Sequence, residues 1–288
     1  MPRRDLLKKV ALGAAAIASA KAFANHHESN SPMNLKRNIH HSACRWCYGK
    51  IEFEDLCIRG KEVGLEAIDL VNVDEIATLK KHGLEASLVW GVPGGITDGL
   101  NRVENHDAIV TFFEQTTPKV AAQGAKRMIV FSGNRDGLDD EQGLENCKIG
   151  LERIMPIVEK HNVQVVMELL NSKRNHPDYQ CDHTSWGVEL VKQVGSEQFK
   201  MLYDIYHMQI MDGDIIDTIR ENHQYFGHYH TGGVPGRHEI DETQELYYPA
   251  IMQAIVDTGF DGYVAQEFVP SWEDPIAALA HGIRTCDV

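Results

Sequence analysis

Four polar residues stand where an apolar strand would bury them. Glu168 interrupts VVMELL, Asp204 interrupts MLYDIYH and Glu267 interrupts YVAQEFV, while His230 takes the like position in FGHYHTGG. An unpaired buried carboxylate is costly, so each needs a cation or a strong donor beside it. The separations between them are 36, 26 and 37 residues, about one strand–helix unit each. Brought to one rim, three carboxylates and one imidazole form a mixed oxygen/nitrogen site for a single divalent cation. Mn2+, Mg2+ or Co2+ suit it best, and Zn2+ is accommodated. Without a cation the carboxylates would repel one another and raise their pKa values. His228, two residues before His230, shares its face on a strand. One step deeper, it is expected to support the ligand rather than bind.

The elements that must position these residues follow from the apolar pattern. Short runs rich in Val, Ile and Leu fall at 38–43, 64–71, 84–91, 126–133, 163–171, 199–207, 225–233 and 262–269. Stretches of helical period separate them, from FEDLCIRGKEVG to PIAALAHGIRTC, the last entered through Pro275. Several stop at a glycine. Eight strands alternating with eight helices predict a parallel sheet closed as a (β/α)8 TIM barrel, an α/β single domain. No Gly-x-Gly-x-x-Gly follows a strand and there is no Walker-type loop, so nucleotide binding of those kinds is disfavoured.

A barrel of about 250 residues would use nearly all of this 288-residue chain. With 43% apolar and 24% charged residues, the composition supports a full core. The formal charge of −14 makes nucleic acid and anionic membrane surfaces poor partners. The first 24 residues read differently. Arg3 and Arg4 precede a mildly apolar run, and Ala22-Phe23-Ala24 offers a cleavage site. This pattern predicts a twin-arginine export signal over 1–24, a spacer over 25–36 and the barrel over 37–288, hence a periplasmic protein without stable membrane insertion. The six cysteines, at 44, 47, 57, 147, 181 and 286, are expected as structural thiols. CRWC at 44–47 is a lone C-x-x-C, a weak metal or redox signal.

The segments YDIYHMQIMDGD (203–214), GHYHTGGVPGRHEI (227–240) and GYVAQEFVP (262–270) resemble the hydroxypyruvate isomerase group of the xylose isomerase-like barrels. The resemblance covers most of the chain after Arg37. It implies that Glu168, Asp204, His230 and Glu267 bind one metal, and that Glu168 and Glu267 move protons on opposite sides of a substrate. It also implies that His207 hydrogen-bonds a substrate oxygen and that Arg237 grips an anionic or hydroxyl-rich end, for which a bidentate guanidinium is suited. The related ketose 3-epimerases carry the same Glu–Asp–His–Glu set. Bacterial hydroxypyruvate isomerases often have Gln where this chain has His230.

The expected activity is therefore metal-dependent interconversion of hydroxypyruvate and tartronate semialdehyde through an enediolate. The rival is a sugar epimerase, isomerase or lyase on the same scaffold. The partner is a small hydroxy-carbonyl or sugar substrate, and homo-oligomerisation is left open. A non-catalytic carbohydrate-binding barrel is a further alternative. An apurinic endonuclease-like barrel would need a larger multi-zinc set and a basic face, against the acidic balance. Among other polar residues, Lys173, Arg174 and His176 form either a cover over the site or a solvated loop. Trp46 is expected as a core or interface aromatic rather than a pocket wall. His40 and His41 are given no role, and His238 and Glu239 are read as turn residues.

Overall fold

The structure, a computed structural model, describes residues 34–288. The expected export signal and most of the spacer lie outside the described residues. Eight parallel strands appear in the anticipated order: β1 (His40–Ala43), β2 (Ala67–Ile68), β3 (Glu85–Ala86), β4 (Arg127–Val130), β5 (Gln164–Glu168), β6 (Phe199–Asp204), β7 (Phe226–Thr231) and β8 (Tyr263–Gln266). Six of them pair continuously in the order β1-β8-β7-β6-β5-β4, and β2 pairs with β3. Single parallel bridges at Cys44–Asp69 and Val89–Met128 join the two sheets, with Val71–Val89 extending the β2–β3 pair. The circle is thereby closed, with a firm six-strand arc and a sparsely paired seam.

Nine α-helices occur among the described residues: α1 (Phe53–Glu62), α2 (Ile76–Lys81), α3 (His106–Ala122), α4 (Asp140–His161), α5 (Thr184–Val194), α6 (Ile205–Met211), α7 (Ile215–Asn222), α8 (Tyr248–Asp257) and α9 (Pro275–Cys286). Their ends follow local chemistry. Asp139 caps α4 by accepting from the Gln142 N–H, and Asp274 caps α9 by accepting from the Ile276 N–H. Gly195 closes α5 in the left-handed region at φ 67°. Apolar faces carrying Phe113, Leu151, Ile154, Val191, Met252 and Ile283 are buried around the strands. Among the described residues no helix is long and apolar enough to cross a membrane.

Two departures from the sequence reading have physical causes. The expected strand over 199–207 stops at Asp204, because the Asp204 carboxylate accepts the His207 N–H and starts α6. His207 consequently sits in the first turn of a helix, not on a strand. The strands on the seam are much shorter than expected, because their backbone pairing reduces to isolated bridges.

Candidate active site

Strand register brings the four ligand candidates to one end of the barrel. Asp204 and His230 are direct partners across β6 and β7, Glu168 ends β5, and Glu267 follows β8 with its N–H bonded to Thr231 O at 3.0 Å. All four are buried, and one ligand atom from each lies within 4.8 Å of the others. His230 turns Nδ1 into the cluster, 2.6 Å from Glu267 Oε2 and 3.3 Å from Glu168 Oε1. The Arg237 guanidinium closes the arrangement, with Nη2 at 2.6 Å from Glu267 Oε2 and 3.2 Å from Asp204 Oδ2. It is flanked by the Trp46 and Tyr206 rings, 5.3 and 5.2 Å from their centroids.

The electrostatics follow from this crowding. Burial and the neighbouring Glu267 push the Glu168 carboxyl up, and burial pushes Asp204 up to about 8 against the pull of Arg237. Burial works against charge on Glu267 too, yet Arg237, His230 and the Trp46 indole hold it well below the usual carboxylate range. Burial opposes a charged His230, but Cys44, Glu267 and Asp69 raise its pKa well above the ordinary value. Burial and Arg237 lower His207 strongly, so it is a neutral imidazole. Its Nδ1 accepts the Asn171 N–H at 3.1 Å, which leaves Nε2 as the donor, buried without a partner and 3.6 Å from Asp204 Oδ2.

Does this donor set suit a metal? Glu168 Oε1 is buried without a hydrogen-bond partner, within a four-residue set of hard oxygens and one imidazole nitrogen. Such a set matches divalent ions that favour carboxylates, so the residues fit the group. Alternative groupings, Cys44–His230–Glu267 and Asp69–His228–His230, share His230 and draw on fewer residues.

A cavity of about 490 Å³ opens onto the cluster. Trp46, Trp90, Phe131 and Leu170 form apolar walls, while Arg45, Glu75 and His176 add polar groups. Arg45 is held by Glu75 at 2.7 Å. Of the loop after β5, His176 reaches the cavity and lies 5.3 Å from the His207 ring, whereas Lys173 is tied to Ile210 O at 3.0 Å. The expectation for Trp46 is corrected. It is 48% exposed, lines the cavity and donates its indole N–H to Glu267 Oε1 at 2.7 Å. His40 pairs with Glu66 and His41 lies near Asp287, neither at the cluster. His238 donates its Nδ1–H to Val269 O, and Glu239 accepts from the Ser271 and Trp272 N–H groups, so both hold the rim loops together. The six cysteines are free thiols, and Cys44 approaches His230 Nε2 at 3.8 Å.

His228 stands beside His230 as expected, with ring centroids 5.2 Å apart. The residue that sequence reasoning missed is Asp69, buried at the end of β2 and bonded to His228 Nε2 at 2.7 Å. Its signal was present: an acid inside the apolar run GLEAIDLV, the same anomaly that marked Glu168.

A closed eight-stranded barrel with a carboxylate–imidazole cluster at the strand ends defines a class of small-molecule enzymes and binding proteins. The chain belongs to the xylose isomerase-like TIM barrel family, which it matches over residues 65–286. A 2-oxo-tetronate isomerase from Cupriavidus necator is 34% identical over 108 residues, 38% of this chain and 41% of that protein. The alignment thus spans about two fifths of that relative's length. A putative hydroxypyruvate isomerase from Danio rerio is 29% identical over 262 residues, 83% of this chain and 91% of that protein. Among solved structures, one described as AP endonuclease, family 2, from Brucella melitensis superposes with a TM-score of 0.75 at 26% identity, covering 84% of this chain and 97% of that one.

Proposed function

We propose that this protein is a metal-dependent isomerase acting on an α-hydroxy-carbonyl compound through an enediolate, with hydroxypyruvate and tartronate semialdehyde as the substrate pair. The observation that carries this reading is the buried Glu168–Asp204–His230–Glu267 cluster, whose two glutamates flank one imidazole nitrogen. The isomerase relatives support it. Mn2+, Mg2+ or Co2+ would be held by those four side chains, with Zn2+ accommodated. A bound divalent cation supplies Lewis acidity that stabilises negative charge on the carbonyl and hydroxyl oxygens of the substrate.

The chain's own residues do the rest. Glu168, pushed up by burial and by Glu267, is the more basic carboxylate and takes the proton from the hydroxyl-bearing carbon. Returned to the neighbouring carbon, that proton completes an isomerisation, and the hydroxyl proton moves to the former carbonyl oxygen. An epimerisation would instead need Glu267 to take a proton from solvent and deliver it to the original carbon from the other face, while Glu168 releases to solvent the proton it took. His207 Nε2–H and the Arg237 guanidinium orient substrate oxygens, and the apolar walls exclude water.

The second reading, a sugar epimerase, isomerase or lyase, is favoured by one observation. A cavity of about 490 Å³ walled by Trp46, Trp90 and Phe131 has room for a longer substrate than a three-carbon acid. Incubation of the Mn2+-loaded protein in D2O with hydroxypyruvate, and separately with a ketose panel, tests both. Deuterium entering hydroxypyruvate supports the first reading, and deuterium entering only a ketose replaces it with the second. The absence of both conversion and exchange with every substrate, or unchanged conversion and exchange in Glu168→Gln, overturns enediolate chemistry. Export by the twin-arginine route is part of the same proposal, and its check is fractionation of cells carrying the wild-type chain or an Arg3→Lys, Arg4→Lys variant.

A further inference from the structure

The interior of the barrel beneath the cluster holds a polar chain that the proposed chemistry does not use. Asp69 lies at the centre of it, fully buried. Its Oδ2 is 2.7 Å from His228 Nε2 and accepts the Ser87 hydroxyl at 2.7 Å. Its Oδ1 is 3.2 Å from His230 Nε2. Ser87 Oγ lies in turn 2.7 Å from Ser42 Oγ. The Asp69 backbone is pinned at the seam, with its N–H on Ala43 O at 2.8 Å and its carbonyl accepting the Arg45 N–H at 3.0 Å.

We infer that Asp69 is a positioning residue, one that holds His230 by Nε2–H so that the Nδ1 lone pair faces the metal. The inference rests on the metal reading proposed above. An ionised carboxylate can only accept, so both imidazoles facing Asp69 must carry their hydrogen on Nε2. In a neutral His230 the remaining lone pair is then on Nδ1, the atom that lies among Glu168 and Glu267. The opposite tautomer would aim an N–H at the ligand cluster and could not bind a cation. A carboxylate behind a ligating imidazole also raises the ligand's basicity and fixes its ring. His228 serves the same end. By donating to the second oxygen of Asp69, and packing edge-on against the His230 ring, it keeps the carboxylate from rotating away. Asp69 immediately follows β2, on the sparsely paired side of the barrel, so the ligand on β7 is braced from across the interior.

Titration of Mn2+ into the full chain by calorimetry, and the visible spectrum of the Co2+-loaded chain, test this without reference to turnover. Asp69→Asn is expected to weaken Mn2+ binding about ten- to a hundredfold and to change the Co2+ spectrum. Ser87→Ala, which removes one bond to the carboxylate, should weaken binding in the same direction by less. Asp69→Asn with wild-type Mn2+ affinity and an unchanged Co2+ spectrum overturns the inference. Should Asp69→Asn fail to fold, the 15N histidine spectrum of the Zn2+-loaded wild-type chain decides. A His230 hydrogen on Nε2 supports the inference, and one on Nδ1 overturns it. A wild-type chain that takes up none of these ions overturns the metal reading itself, and this inference with it, before any variant is compared.

Discussion

Glu267 is the most heavily held side chain in the cluster: Trp46 on Oε1, and both His230 and Arg237 on Oε2. The indole bond is separable from the others, because Trp46 is half exposed and contributes little to the core. A hydrogen bond to a charged group is worth about 1.5–3 kcal/mol. Trp46→Phe keeps the aromatic wall and removes the donor, so kcat should fall about ten- to a hundredfold, with thermal stability unchanged. Steady-state kinetics beside a melting curve would check it, and an unchanged kcat would show that the bond is not used. A tryptophan after a strand carries no signal of which acid it faces, so from sequence Trp46 reads as a core or interface aromatic. Acids inside apolar runs were legible, since burying charge demands a reason. Asp69 met that criterion as fully as Glu168 did, but it falls on a different arc from the four ligands, so the regular spacing did not point to it.

At the level of elements, the loop after β7 decides where Arg237 goes. Gly233 forms an antiparallel bridge with His238. A Cβ at Gly233 would lie 2.4 Å from the Glu239 carbonyl oxygen and 2.9 Å from that of His238. The two strands of the loop therefore approach too closely for any side chain. Gly233→Ala should spread the loop and draw Arg237 off Glu267 and Asp204. The expected result is a kcat/KM at least tenfold lower with the barrel still folded, read by kinetics and circular dichroism. Wild-type kinetics would show that the loop yields elsewhere. Helix boundaries were the most legible part of the fold, because caps and glycines mark them, as at Pro275 and Gly195. Strand ends were not. YDIYHM continues the apolar pattern past Asp204, and only the carboxylate's capping bond to the His207 N–H turns the chain into α6.

On the scale of the whole molecule, binding and stability are linked. A ligand at a hundred times its Kd adds about 2.7 kcal/mol, and for a protein of this size each kcal/mol shifts Tm by about 2–4 °C. Melting the chain with excess Mn2+ and again with a chelator should therefore separate the two curves by roughly 5–10 °C. Coincident curves would count against a resident cation. The barrel itself was legible from eight alternating units, because no other common architecture uses that count. The uneven pairing around its circumference was not, because β2 and β3 are as rich in apolar residues as their neighbours and differ only in backbone geometry.

That unevenness separates two jobs. Every proposed ligand lies on, or one residue beyond, the continuous six-strand arc. Trp90, Leu70 and Asn72, which line the cavity, follow the thinly bonded strands. The half that would grip the cation is built like a chassis, and the half that meets the far end of a substrate is built like a fitted panel. Insertions and substitutions in the rim segments 70–75 and 90–105, on either side of Ser87, could reshape what the cavity accepts while leaving the ligand geometry alone. A lineage could thus change its diet without relearning its chemistry, and a protein engineer seeking new substrates should begin on that side.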